Sequence, residues 1–62
     1  MKNHIICVDD EPIVLQSLRS EIKQNPFFAD FVIDLADSGA RALTLIDEIV
    51  ADGDAIPVIL SD

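Results

Sequence analysis

The chain opens with a polar start and then four apolar residues in a row, Ile5-Ile6-Cys7-Val8. An unbroken run that short predicts a strand over 5–8 covered on both faces. Glu11-Pro12 follows as a helix start, with proline at the first helical position and acids beside the positive end of the helix dipole. Val14, Leu15, Leu18 and Ile22 then recur at helical spacing, while Arg19, Glu21 and Lys23 fall on the wetter side. Asn25-Pro26 closes this helix, because a residue before proline avoids the helical region. Residues 31–36 alternate: Phe31, Ile33 and Leu35 on one face, Val32, Asp34 and Ala36 on the other. That pattern predicts a half-wet strand at a sheet edge. Asp37-Ser38-Gly39 caps a second helix with an apolar stripe of Leu43, Ile46, Ile49 and Val50, and Asp52-Gly53 ends it. Residues 56–60 are again apolar, and Ser61-Asp62 come last.

The element order is therefore β-α-β-α-β, which implies an α/β fold with a parallel sheet and right-handed crossovers. Buried first and third strands with an edge-like second predict the order 2-1-3 and helices on opposite faces. The reversal of direction leaves a crevice at the carboxyl ends of strands one and three, where open α/β sheets bind ligands. Asp9 and Asp10 follow the first strand and Asp62 the third. With neighbouring strands ~4.8 Å apart, three carboxylates are expected to converge there.

Composition narrows the reading. Sixty-two residues make at most one domain, and a chain this short buries only about 60% of its unfolded surface. One cysteine allows no internal disulfide, and no Cys/His set is present for structural zinc. The net charge of −8 opposes binding of nucleic acid or anionic lipid through this segment. No apolar stretch approaches the length of a membrane span, and no signal peptide precedes the first strand. With a free Cys7 in a strand, a cytoplasmic location is expected.

Clustered carboxylates raise one another's pKa unless a cation relieves the repulsion. Oxygen-only ligands favour Mg²⁺, Mn²⁺ or Ca²⁺ over zinc, and such an ion suits an aspartate acting as nucleophile towards phosphorus. A plainer reading also accounts for residues 9–11, since acids near a helix N-terminus stabilise by ~0.3–1 kcal/mol. Asp62 could likewise be a polar strand end.

Three segments resemble the N-terminal part of a response-regulator receiver domain, the phosphoacceptor module of two-component signalling. They are Val8-Asp9-Asp10-Glu11-Pro12, Ala36-Asp37-Ser38-Gly39 leading to Ala42-Leu43, and Pro57-Val58-Ile59-Leu60-Ser61-Asp62. The resemblance runs through residues 1–62 and covers about half of a receiver. It implies a flavodoxin-like, doubly wound sheet whose remainder is missing here. The 2-1-3 order is a known beginning of that fold and is not independent of the resemblance.

By that resemblance, Asp62 accepts a phosphoryl group from a histidine kinase or phosphotransfer protein. Asp10 binds Mg²⁺ directly, Asp9 acts mainly through a water on the metal, and Asp62 completes the metal site. Glu11 has no assigned catalytic role. The module is a regulatory phosphoacceptor, not an enzyme. The hydroxyl residue after a fourth strand and the lysine after a fifth, which complete a receiver's site, have no counterpart in residues 1–62.

Two other functions remain open. A Mg²⁺-dependent aspartyl phosphatase or phosphotransferase would want Asp-x-Asp on the first strand with a hydroxyl soon after, whereas Asp9-Asp10 are adjacent and Ser17 is the first hydroxyl. A half-domain that dimerises or otherwise self-associates, without chemistry, is the third reading. Among the remaining residues, Asp34, Asp37, Asp47, Glu48, Asp52 and Asp54 read as solvated, turn or capping acids, and His4 as an exposed terminus residue. Cys7 reads as a small core residue whose thiol pKa nearby acids raise, and Phe27, Phe28 and Phe31 as packing residues at the strand edge.

Overall fold

The computed structural model describes residues 1–61. Its elements are β1 (Asn3–Val8), α1 (Pro12–Gln24), a short 3-10 turn (Pro26–Phe28), β2 (Val32–Ala36), α2 (Gly39–Ala51) and β3 (Ala55–Ser61). The three strands form one parallel sheet in the order β2-β1-β3, the topology expected from the alternation of elements.

Side-chain alternation along β1 divides the core into two layers. Ile5 and Cys7 point to the α1 side and pack with Leu15, Leu18, Ile22, Phe31, Ile33 and Leu35. Ile6 points to the α2 side and packs with Ala36, Ala42, Leu45, Ile46 and Ile49. Each helix therefore covers one face, and β1 alone is buried between both, which is why its sequence shows no polar alternation.

β3 breaks its own alternation. Ile56 packs on the α2 side but Val58 on the α1 side, although they are two residues apart. The register explains it: Asn3 pairs with Ala55 and Ile5 with Val58, so an irregularity shifts β3 by one residue between them. Pro57 sits at that shift, in an edge strand, where its missing N–H is tolerated.

The helix ends follow local chemistry. Pro12 opens α1, though the Glu11 side chain makes no cap bond. Ser38 Oγ accepts from the Arg41 N–H at 3.1 Å and caps α2. At its other end Gly53 takes φ +80°, where a side chain would be strained. Its N–H donates to the Val50 carbonyl and that of Asp54 to the Ile49 carbonyl, the paired bonds of a Schellman turn.

Three expectations are corrected. The buried stripe of α2 is Ala42, Leu45, Ile46 and Ile49; Leu43 and Val50 are 65% and 62% exposed. Both sit one residue, about 100° of helix rotation, beyond the buried pair Ala42 and Ile49. In α1, Val14 lies at the exposed margin rather than in the core. Phe28 packs edge to face on both Phe31 at 5.2 Å and Phe27 at 4.9 Å, but Phe27 does so from the surface, 77% exposed, and not within the core.

Candidate functional site

At the carboxyl end of the sheet, the β1–β2 ladder runs one step past the strand. The Asp9 N–H donates to the Ala36 carbonyl at 3.0 Å, which fixes the backbone of Asp9. Its side chain then turns along the chain: Asp9 Oδ1 accepts from the Glu11 N–H at 2.9 Å. This side-chain turn holds one of the first free N–H groups before α1 and orients the carboxylate. Asp9 is half-buried, while Asp10 and Glu11 are exposed.

On the far side of β1, Val8 pairs with Ser61, so the ends of β1 and β3 lie level. Between them and α1 is a crevice of about 380 Å³, walled by Val8, Asp9, Val14, Leu60 and Ser61 among others. Asp10 does not line it. A larger hollow of about 490 Å³ lies on the outer side of α1, but every residue around it belongs to that one helix. It is a dent in a helix surface; the crevice is the place where separate elements meet.

The structure thus brings Asp9 to the crevice and leaves Asp10 beside it. Asp62 lies outside the described residues, and so does the convergence of three carboxylates expected there. Among the described residues no group of three His, Cys, Asp or Glu side chains is arranged to hold a metal. Asp9 and Asp10 are oxygen-only donors. One Asp9 oxygen carries the bond from Glu11, and among the described residues neither the other oxygen nor Asp10 has a side-chain hydrogen-bond partner. Carboxylate oxygens are the donor type that hard cations take, but two such side chains do not by themselves make a site.

The opposite end of the sheet holds a cluster that the sequence reading missed. His4 is buried, 8% exposed, not a solvated terminus residue. Its Nδ1 lies 2.7 Å from Asp34 Oδ2 and its Nε2 3.0 Å from Asp54 Oδ2. Asp34 and Asp54 are accordingly not free surface acids. Asp54 Oδ1 also accepts from the Lys2 N–H at 2.9 Å. The hydrogen bond to Asp34 raises the His4 pKa above its usual value, burial opposes this, and the bond to Asp54 adds to the rise. The Lys2 N–H first, and then His4, hold the Asp54 carboxyl below its usual value. A signal was present in strand phase. His4 shares a face with Ile6, as Asp34 does with Ala36, so both had to point towards α2.

Cys7 is fully buried, and burial, rather than neighbouring acids, pushes its thiol pKa up. It is a core residue with no reactive character. Among the described residues no helix is long and apolar enough to cross a membrane. Comparison with protein-family models, curated proteins and solved structures returns no match to this chain.

Proposed function

We propose that this chain is the phosphoacceptor portion of a receiver-like signalling module. In this reading Asp62 accepts a phosphoryl group from the phosphohistidine of a sensor kinase or phosphotransfer protein. A carboxylate oxygen of Asp62 forms the new O–P bond as the P–N bond breaks, and the imidazole leaves with the donor protein. Asp9 and Asp10 would hold Mg²⁺, with Asp62 completing the metal site in this reading. Bound Mg²⁺ neutralises charge on the carboxylate and on the phosphoryl oxygens. Asp10, which is exposed, and Asp9, fixed through its backbone N–H and its side-chain turn, are the described residues that would hold the ion.

One observation carries the proposal most: the parallel 2-1-3 sheet, with Val8 level with Ser61, brings the acidic end of β1 beside the end of β3. Sequence continues from Ser61 directly into Asp62. Capping alone explains less, since Asp9 bonds the Glu11 N–H but Glu11, at the cap position, makes no side-chain cap bond.

The metal half of the proposal is tested by thermal unfolding with and without Mg²⁺. A ligand bound only by the folded state raises the melting temperature. Asp10→Asn is expected to remove most of that rise, whereas Asp47→Asn, at an exposed position on α2, leaves it intact. Equal loss in both variants would mean diffuse charge screening and no site. Turnover of small phosphate esters would instead favour a phosphatase.

A further inference from the structure

His4 lies on β1, Asp34 on β2, and Asp54 in the connection that leaves α2 and enters β3. One imidazole therefore links the amino-terminal part of β1 to the middle of β2 and to the entry of β3, away from the acidic crevice. A carboxylate only accepts hydrogen bonds, so contacts at both ring nitrogens need a proton on each nitrogen. The ring that satisfies both partners is the imidazolium. A neutral ring would turn one lone pair towards a carboxylate oxygen, and that contact would become repulsive.

We infer that His4, Asp34 and Asp54 form a proton-operated clasp: charged His4 fastens β2 and the entry to β3 onto β1, and loss of its proton to solvent releases them. The fold places the clasp where it has leverage. The Schellman turn at Gly53 delivers Asp54 to His4, and the Ala55 N–H donates to the Lys2 carbonyl at 2.9 Å just beyond it. The register shift in β3 follows immediately, so this anchor fixes the strand on the amino side of its one irregularity. A strand whose alternation changes face within two residues has no strong pattern to set its own register.

The charged groups around His4 are few. Asp34 faces it from β2 and Asp54 from the loop; β3 contains no ionisable residue within Ala55–Ser61. No acid or base of α2, which packs on the same face, acts on its ionisation. The N-terminal amine acts on Asp54, helping to lower its pKa. The direction of the pH effect follows. His4 is raised, so its contribution is complete below about 6.5 and is lost as pH rises through the folded-state value. Asp54 is lowered, so its contribution is present above about 3.8 and is lost as pH falls through its depressed value. The clasp is fully engaged between those limits.

His4 is the single histidine of the chain, so its imidazole proton resonances can be followed by NMR without assignment ambiguity. The expected midpoint in the folded protein lies above 6.5, and Asp34→Asn and Asp54→Asn each lower it. The melting temperature should fall from pH 6 to pH 9, and His4→Gln should remove that fall. A midpoint at or below 6.5, or one that neither Asp variant moves, overturns the clasp. So does a pH-dependent melting temperature unchanged in His4→Gln. If His4→Gln does not fold, the wild-type midpoint and the two Asp variants decide the matter alone.

Discussion

Gly53 shows how one residue governs a distant pairing. Its φ of +80° lets α2 end in two turn bonds, and the second of these is made by the N–H of Asp54, the residue that reaches His4. No heavy atom lies within 4 Å of the position a Cβ would occupy, so the cost of a side chain there is conformational, not steric crowding. Gly53→Ala should destabilise the fold by about 1 kcal/mol. Chemical denaturation checks this, and an unchanged midpoint would show that the turn relaxes freely. At the same scale the limits of sequence reading are plain. Gly53 was legible as a helix stop because glycine has few competing reasons to stand there. His4 was not legible, because its burial depends on partners 30 and 50 residues away. Strand phase puts His4 on the face of Ile6 but carries no sign of which residues meet it there.

At the scale of elements, α2 is the informative case. Its apolar residues occupy more than one face, so periodicity identified a helix correctly but left its rotation ambiguous. Tertiary packing resolves that rotation through Ala36 and Ile6, against which Ala42 and Ile49 lie. Neighbouring substitutions should therefore differ sharply. Ile49→Ala is expected to cost about 2–4 kcal/mol through a cavity in the α2-side core. Val50→Ala, at an exposed site, should stay within about 0.5 kcal/mol. Similar losses for both variants in denaturant titrations would contradict the observed rotation of the helix. β1 was easier to read because burial on both faces leaves one composition, apolar throughout, and no phase to choose.

For the whole molecule, the sheet order followed from a doubly buried β1 and the handedness of crossovers. The third strand, expected to be buried from its apolar run, is an edge in the structure, with Ile59 and Leu60 50% and 38% exposed. The face change at Pro57 was not legible, because register shifts depend on the partner strand. The β3 edge carries no charged residue within the strand. Open, apolar strand edges invite pairing with another chain. The 62-residue chain in isolation is accordingly expected to associate as its concentration rises, and sedimentation velocity would show it. A monodisperse monomer across the accessible concentration range would mean that the net charge of −8 suffices to protect the edge.

The candidate site was legible only in part at this scale. Asp9 and the level ends of β1 and β3 follow from topology, whereas the side-chain turn from Asp9 to Glu11 does not. The proposed chemistry rests on Asp62, and it can be located directly. The protein carrying this chain is incubated with Mg²⁺ and a small phosphodonor such as acetyl phosphate, then reduced with borohydride, which converts an aspartyl phosphate to homoserine. Tandem mass spectrometry of the peptide containing residues 55–62 should find homoserine at position 62, and chelation of Mg²⁺ before the donor is added should abolish it. Homoserine at Asp9 or Asp10, or none at position 62 when the metal and donor are both present, would contradict the account.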